Sequence, residues 1–377
     1  MRCKAAILRA AGAPAPYAKS QPLSVEEITL DPPQAGEVLI KIVGAGLCHS
    51  DLSVMNGTRP RTLPIVLGHE GAGEVVEVGA GIRDVAVGDH VVFQFSASCG
   101  RCRYCLEGRP QICERARLAT SKGELMGGGR RIRDANGVEI NHQSGVSCFA
   151  EYAVADRGSI VVIDKSVPLA DAAVFGCAVM TGVGAVINTA RIRTGDKVAV
   201  IGLGGVGLSG IMGAVVGGAE MIIAIDVDRR KLQKAVEFGA THTFDATDPN
   251  MVANVIELTK GGVDFAVDLA GVIPAIETAY AITARGGSVV TAGLSPAGAK
   301  FSFEQAELVS SEKSIRGSYM GSCVPVRDIP RFIGLQQQGR LPVDRLIDRQ
   351  IGFDEMNSGF DLLASGEAVR QILTPHG

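Results

Sequence analysis

Four cysteines, Cys99, Cys102, Cys105 and Cys113, lie within the fifteen-residue segment CGRCRYCLEGRPQIC. Intervals of this length allow four thiolates to surround one tetrahedral Zn²⁺ at about 2.3 Å each. An iron–sulfur cluster is the main alternative, but in ferredoxin patterns the fourth cysteine follows at once and precedes a proline, unlike here. Because four sulfurs fill every position around the ion, a zinc held here would be structural.

A second set of metal-binding residue types is scattered along the chain. Cys48 lies in GLCHSDL, His69 and Glu70 lie in LGHEGAG, and Cys177 lies in VFGCAVMTG. Two sulfurs and one imidazole would leave a zinc with an open position for water or substrate, as in catalytic zinc sites. No spacing rule links these positions, and buried cysteines are common core residues. The residues alone leave open whether this set meets.

The segment VAVIGLGGVGLSG places Gly202, Gly204 and Gly207 in the spacing G-x-G-x-x-G between a predicted strand and a predicted helix. Such a turn brings the backbone close to a pyrophosphate at the positive start of the helix. Asp226 ends the next predicted strand, MIIAID, where a carboxylate can accept from ribose hydroxyls. Its charge would repel a 2′-phosphate, which favours NAD over NADP, although the basic run DVDRRKLQK points the other way.

The elements that must position these residues fall into two patterns. Residues 36–95 contain short β-branched runs bounded by Gly, Pro and Asp, and 114–150 is polar and loop-like. A buried helix is expected after Asp171, and strands then alternate with helices. This predicts an α/β protein with a doubly wound parallel sheet of the Rossmann type and a separate β-rich domain.

Composition limits the partners and the compartment. A chain of 377 residues favours two domains, and a net charge of −3 argues against nucleic acid or an anionic membrane surface. The N-terminus lacks the pattern of a signal peptide, and the apolar stretch 201–219 favours a buried strand–turn–helix over a membrane span. The expected compartment is therefore the cytoplasm, where thiols stay reduced, and nine cysteines are an odd set that cannot all pair in disulfides.

Taken together, these segments resemble the zinc-dependent medium-chain alcohol dehydrogenases. CHSD, GHEGAGEVVEVG, VGDHVV, the four-cysteine lobe, GCAVMTGVGA, GLGGVG and VRQIL occur in that family's order over nearly the whole chain. The resemblance is strongest to the long-loop, dimeric type, including class III-like and bacterial members. It implies a GroES-like catalytic domain over 1–178 with a structural zinc lobe at 99–113. An NAD-binding domain would follow over 179–322, and 323–377 would return to the catalytic domain.

The resemblance also implies roles at the metal sites, with two zinc ions per chain. The implied ligands of the catalytic zinc are Cys48, His69 and Cys177, and those of the structural zinc are Cys99, Cys102, Cys105 and Cys113. Glu70 would lie behind the catalytic ion, and Asp51 would orient the histidine ligand. Ser50 would touch the substrate oxygen and begin a proton relay. Ser53 stands where many relatives finish that relay with histidine or tyrosine, so proton exit would need water.

Cofactor and substrate contacts follow from the same resemblance. The implied NAD contacts are His49, Thr181, Gly202, Gly204, Gly205, Val206, Gly207, Asp226, Lys231 and Arg370. The implied substrate contacts are Ser50, Phe95, Arg59 and Arg117. The two arginines would either favour an anionic substituent at the channel mouth or be solvated surface residues.

The expected function is reversible oxidation of a small alcohol to an aldehyde or ketone by hydride transfer to NAD, in a homodimer. Two alternatives are a glutathione- or thiol-dependent formaldehyde dehydrogenase and a nicotinoprotein that keeps its NAD tightly bound. A non-enzymatic protein reusing the fold would have no need of Cys48, His69 and Cys177 together.

Overall fold

The computed structural model describes residues 1–377 and divides them into two compact units. Unit 1 comprises Met1–Cys177, Val324–Ile333 and Asp344–Gly377, and unit 2 comprises Ala178–Cys323 and Gly334–Val343. No single helix has both the length and the apolar character to cross a membrane, and one bent pair, Leu169–Gly176 with Ala178–Ala190, meets those two criteria jointly.

Strands and helices are numbered in chain order. The strands are β1 Arg2–Leu8, β2 Leu23–Leu30, β3 Glu37–Gly46, β4 Ile65–Val66, β5 Gly71–Val78, β6 His90–Phe93, β7 Ile132–Arg133, β8 Glu139–His142, β9 Tyr152–Asp156, β10 Ile160–Ile163, β11 Lys197–Ile201, β12 Met221–Asp226, β13 His242–Asp245, β14 Val263–Asp268, β15 Thr283–Thr291, β16 Ser314–Gly317, β17 Arg349–Ile351 and β18 Gln371–Leu373. The α-helices are α1 Tyr17–Ser20, α2 His49–Met55, α3 Arg103–Leu106, α4 Glu114–Lys122, α5 Leu169–Ala172, α6 Ala178–Gly184, α7 Gly205–Gly217, α8 Arg229–Glu237, α9 Met251–Thr259, α10 Ile273–Ile282, α11 Gln305–Ser310, α12 Pro325–Gln337 and α13 Met356–Ala364. Short 3-10 turns lie at Pro110–Ile112, Arg157–Ser159, Ala173–Gly176, Met320–Ser322, Val343–Leu346 and Phe353–Glu355, and a π-helical turn lies at Ala185–Ala190.

Unit 1 is built from β-sheets. A closed barrel has the order β1-β2-β7-β8-β4, and a seven-stranded sheet has the order β10-β6-β5-β3-β18-β17, with β9 also paired to β3. The central strand β3 is buried at most of its positions, and its alternate residues Val38, Ile40 and Ile42 belong to the core cluster that also contains Phe93 and Phe360. The predicted β-rich domain is confirmed.

Three strand ends meet in the seven-stranded sheet. The antiparallel pairing of β3 with β5 sets Ala45 opposite Gly71, so the residues after β3 lie beside those before β5. The pairing of β18 with β3 sets Ile372 opposite Gly46, which adds the residues before β18 to the same place. Strand pairing therefore joins three segments that are far apart in sequence.

Unit 2 is a parallel sheet of six strands in the order β13-β12-β11-β14-β15-β16, and every pairing in it is parallel. Numbered within the unit, this is the order 3-2-1-4-5-6 of a doubly wound dinucleotide-binding fold. The strand β11 is buried over four of its five residues, as expected for a strand covered on both faces. The predicted fold class is confirmed.

Two local expectations are wrong. The segment after Asp171 is not one helix, because it changes from α5 to a 3-10 turn and restarts as α6 after Cys177, whose φ of −139° and ψ of −75° are not helical. The segment 114–150 is not only loop, since it contains α4, β7 and β8. The helix α4 buries only Ala116, so its polar sequence carries no apolar stripe to reveal it.

Candidate metal and cofactor sites

A buried cluster of metal-binding side chains lies where the ends of β3 and β5 meet. Cys48, His69, Glu70 and Cys177 each offer one ligand atom, and these atoms all lie within 4.8 Å of one another. Cys48 follows β3, and His69 and Glu70 precede β5, so the antiparallel pairing brings them together. Cys177 lies at the non-helical break before α6. The preceding residue, Gly176, is held by its carbonyl, which accepts from the Phe95 N–H at 3.3 Å. These residues, far apart in sequence, therefore meet in the fold.

The His69 ring is held in one orientation. Its Nδ1 lies 3.0 Å from Asp51 Oδ1, which also accepts from the Gly68 N–H at 3.1 Å, and both side chains are fully buried. Phe95 packs edge-on against the ring at a centroid distance of 4.8 Å. The other ring nitrogen, Nε2, is buried without a hydrogen-bond partner. A buried nitrogen without a partner carries a desolvation cost that destabilises the fold, and binding a metal ion would remove that cost.

The charges around the cluster favour a thiolate. The hydrogen bond to the Cys177 thiol lowers the pKa of Cys48 well below its usual value, and the charges of Arg370 and His69 act in the same direction. Burial raises the pKa of Glu70 to about 7 in spite of Arg370, whose Nε lies 3.4 Å from Glu70 Oε1. Neither carboxylate oxygen of Glu70 has a hydrogen-bond partner. Two sulfurs and an imidazole with a carboxylate behind them fit a zinc ion.

The four cysteines of the lobe also converge. Their sulfur atoms lie within 4.8 Å of one another, with 3.5 Å between the sulfurs of Cys102 and Cys105 and 3.9 Å between those of Cys102 and Cys113. Tetrahedral zinc with ligands at 2.3 Å requires sulfur separations of about 3.8 Å. No cysteine of the chain is in a disulfide, and the backbone N–H of Cys105 lowers the pKa of Cys102 to about 6. The lobe therefore fits a closed four-sulfur zinc site.

The glycine-rich turn of unit 2 has the geometry that its spacing predicts. Gly202 has a φ of +86°, and a Cβ on Gly207 would lie 1.8 Å from the Gly202 carbonyl oxygen. A Cβ on Gly204 would meet nothing within 4 Å, so this glycine leaves open space beside the start of α7. Asp226 Oδ2 accepts from the Leu203 N–H at 2.7 Å, which ties the end of β12 to the turn. The turn can hold a pyrophosphate against the helix start.

The remaining residues predicted to bind the cofactor lie on both units. In unit 2, Thr181 is buried in α6, Val206 is half-buried in α7, and Lys231 is half-buried in α8. In unit 1, His49 is exposed at the start of α2. Arg370 is 3% exposed, and its Nη1 donates to the Leu47 carbonyl at 2.8 Å beside the metal-binding cluster.

The residues predicted to bind substrate are less closely grouped. Ser50 is half-buried in the first turn of α2, beside Asp51. Phe95 is half-buried against His69, as described above. Arg59 is half-buried just beyond α2, and Arg117 is exposed on α4, so neither belongs to the buried cluster.

One side chain at the site went unnoticed in the sequence. Gln143 Nε2 donates to Asp51 Oδ1 at 2.8 Å and lies 3.3 Å from His69 Nδ1. The glutamine is 92 residues from Asp51 and matches no motif, so only the tertiary fold reveals it.

Comparison with known proteins identifies the family. Residues 34–165 match the model of the alcohol dehydrogenase GroES-like domain, and residues 205–337 match that of the zinc-binding dehydrogenases. The S-(hydroxymethyl)glutathione dehydrogenase of Saccharomyces cerevisiae is 39% identical, over 95% of this chain and 94% of that protein.

Two solved structures are similar over the full length. An alcohol dehydrogenase zinc-binding domain protein from Burkholderia ambifaria has a TM-score of 0.94 and 35% identity, covering 100% of this chain and 99% of the other. The benzyl alcohol dehydrogenase of Acinetobacter calcoaceticus has a TM-score of 0.91 and 31% identity with the same coverage. The sequence-based family and fold are confirmed, as is the use of zinc and a nicotinamide cofactor. The chain belongs to the zinc-dependent medium-chain alcohol dehydrogenases.

Proposed function

We propose that this chain oxidises an alcohol to an aldehyde or ketone, reversibly, by hydride transfer to NAD. The observation that carries the proposal is the buried cluster of Cys48, His69 and Cys177, with His69 Nε2 unpaired among the ligand atoms. A purely structural zinc site would be expected to be closed by four protein ligands, as in the cysteine lobe. We place the fourth potential ligand, Glu70, behind the ion, so that the remaining three ligands leave room for an oxygen of the substrate.

In this proposal the chain holds two zinc ions, one in the cluster and one in the lobe of Cys99, Cys102, Cys105 and Cys113. When bound in the cluster, zinc supplies Lewis acidity that favours loss of the alcohol proton. Asp51 holds His69 by its Nδ1, so that Nε2 would be the ring atom that binds the ion. Glu70 would lie behind the ion, and the charge of Arg370, 3.4 Å away, lowers its pKa and so favours its ionised form against the effect of burial.

The proton of the alcohol leaves by way of Ser50. Ser53 follows one turn later on α2, and its hydroxyl donates to the His49 carbonyl at 2.8 Å. Because that proton is engaged with the backbone, Ser53 is poorly placed to hand on a second one. We therefore assign the step beyond Ser50 to water.

NAD supplies the hydride acceptor. We assign its pyrophosphate to the turn formed by Gly202, Gly204, Gly205 and Gly207, with His49 and Arg370 as further contacts. Asp226 and Lys231 are assigned to the ribose, and Thr181 and Val206 to the nicotinamide. The carboxylate of Asp226 ends β12 and favours NAD over NADP. We assign the catalytic domain to 1–178 and 323–377 and the NAD-binding domain to 179–322, with the exception of Gly334–Val343, which packs with unit 2.

Two similar proteins are named for their substrates, which are benzyl alcohol in one case and S-(hydroxymethyl)glutathione in the other. Phe95 lies against His69 and would form an aromatic wall of the alcohol pocket. Arg59 and Arg117 are the candidate contacts for an anionic group on the substrate. Aromatic alcohols and glutathione-linked alcohols are thus the first compounds to compare.

The test is a panel of primary, secondary, aromatic and carboxylated alcohols with NAD and with NADP, followed by absorbance at 340 nm. Formaldehyde with and without glutathione distinguishes the thiol-dependent alternative, and gel filtration after reduction reveals tightly bound NADH. Metal analysis accompanies the panel. A protein that carries two zinc ions per chain but reduces NAD with none of these compounds would contradict the proposal.

We further propose a homodimer in the cytoplasm. Support for the compartment is that all nine cysteines are free, as in a reducing environment. Support for the dimer is the long segment 114–150, which resembles the dimeric members of the family. Light scattering during gel filtration measures the mass directly, and a mass of four chains would contradict the dimer.

A further inference from the structure

We infer that Gln143 is a positioning residue of the metal site, holding the Asp51 carboxylate that in turn holds His69. The inference rests on the proposed function, because it assumes that His69 ligates zinc. Gln143 is 4% exposed and lies directly after β8, and no catalytic or binding role follows for it from any motif.

The contacts define a short chain of hydrogen bonds. Gln143 Nε2 donates to Asp51 Oδ1 at 2.8 Å, and the same oxygen lies 3.0 Å from His69 Nδ1. Asp51 Oδ1 is therefore the hydrogen-bond acceptor for Gln143, His69 and the Gly68 N–H, while the other oxygen, Oδ2, has no partner. Gln143 Nε2 is also 3.3 Å from His69 Nδ1, so the amide borders the ring nitrogen itself. The amide N–H is one of the donors that fix the direction of the carboxylate.

A packing role does not account for this glutamine. Gln143 Oε1 is buried without a hydrogen-bond partner, which carries a desolvation cost that an apolar side chain of similar size would avoid. The amide nitrogen is the only side-chain atom of Gln143 that makes a hydrogen bond, and its acceptor is Asp51. The favourable contribution of the polar side chain thus comes from the bond to the carboxylate.

The backbone of Gln143 is itself fixed. Its N–H donates to Ser147 Oγ at 2.9 Å, and Ser147 Oγ donates to the Val66 carbonyl at 2.9 Å, three residues before His69. The turn between them has left-handed backbone at Ser144, Gly145 and Ser147, with φ values of 55°, 66° and 53°. Ser144 and Ser147 adopt a conformation that non-glycine residues seldom take, so the surrounding structure determines this turn closely. A rigid turn can place one amide donor accurately.

The consequence for the site is control of the histidine tautomer. With Asp51 Oδ1 facing it, His69 carries its proton on Nδ1 and leaves Nε2 free to bind the ion. Without the Gln143 donor, the buried carboxylate can rotate between its two oxygens. We expect the loss to weaken zinc retention rather than to abolish folding.

The experiment compares wild type with Gln143→Met, which keeps the volume and removes the donor. The matched control is Asn357→Leu, because Asn357 is a buried amide in the same unit, 5% exposed, that donates to the Leu23 carbonyl away from the site. Each protein is prepared with zinc and incubated with a chelator, and zinc per chain is followed over time along with the melting temperature. The zinc of the four-cysteine lobe serves as an internal reference.

We expect Gln143→Met to lose one zinc per chain roughly 10–100 times faster than wild type, with the second zinc unaffected. Asn357→Leu should lose neither zinc faster, even if its melting temperature falls as far. Equal loss rates in wild type and Gln143→Met would overturn the inference. Faster loss of both ions, or the same loss in Asn357→Leu, would also overturn it, because general destabilisation would explain the result. A wild-type protein with zinc only in the lobe would instead refute the proposed function.

Discussion

Two glycines of the same turn separate packing from cofactor binding, which makes a sharp test of the NAD site. A Cβ on Gly207 would lie 1.8 Å from the Gly202 oxygen, whereas real Cβ contacts essentially never fall below 3.0 Å. The two backbone segments must therefore move apart by about 1.2 Å. Gly202 cannot simply yield, because its own φ is +86° and Ala270 occupies the space beside it. We expect Gly207→Ala to cost about 1–3 kcal/mol and to lower the melting temperature by roughly 2–10 °C.

Gly204→Ala should behave differently. Its φ of −74° and ψ of −169° suit alanine, and no heavy atom lies within 4 Å of the added carbon. Its stability should remain within about 0.5 kcal/mol of wild type. If the pyrophosphate passes over this glycine, the methyl group displaces it from the backbone N–H groups, and a charged hydrogen bond is worth about 1.5–3 kcal/mol. NADH affinity should then fall roughly 10–100-fold.

The assay is fluorescence titration with NADH, alongside thermal melts without cofactor. An unchanged Kd for Gly204→Ala would refute the assignment of the pyrophosphate to this turn. An unchanged melting temperature for Gly207→Ala would refute the packing argument. Each outcome can occur without the other, so the two ideas are tested separately.

Three further predictions concern the metal sites and pH. Cys177→Ser should leave about one zinc per chain and lower kcat/KM roughly a thousandfold or more, and full activity with one zinc would contradict the catalytic assignment. Cys105→Ser should release the zinc of the lobe and lower the melting temperature, while the folded fraction keeps its kcat. A loss of kcat in the folded fraction as large as that of Cys177→Ser would show that the lobe is not remote from the chemistry. Burial, with the charges of Arg131 and Arg130, lowers the pKa of His142 to about 3. Below about pH 6.5, His142 therefore binds a proton in the unfolded chain but not in the folded chain. The free energy of unfolding falls by about 1.4 kcal/mol per pH unit as the pH drops from about 6.5 towards 3. Urea unfolding at pH 7 and pH 5 should show a loss about 2 kcal/mol larger for wild type than for His142→Gln, and equal losses would contradict the buried neutral histidine.

Periodicity was sufficient to predict the fold of unit 2. Both β11 and β12 are short apolar runs between turn residues, and this pattern is enough to recognise a buried parallel strand. The zinc site of the four cysteines was equally easy to predict, because all its ligands lie within fifteen residues of the sequence. Local signals thus predicted the sheet, the glycine turn and the lobe.

The catalytic cluster could not be predicted from spacing. Cys48 and His69 meet through the register of β3 with β5, and Cys177 joins them at a backbone break that no local pattern marks. Their residue types suggested a zinc site and the family resemblance implied that they meet, but neither pointed to Gln143 or to the contact between Arg370 and Glu70. Both contacts join residues that are far apart in sequence, and the order of residue types along the chain does not indicate which of them pair.

The pairing of β18 with β3 joins segments from the two ends of the chain, and we expect it to form late in folding. Arg370 reaches the Leu47 carbonyl across 323 positions, and most of unit 2 lies between these two partners in the chain. Closing so long a loop is slow, whereas the strands of the parallel sheet in unit 2 all come from one continuous stretch and are joined by shorter loops. We therefore expect unit 2 to fold first. The contact between Arg370 and Glu70 should be among the last to form.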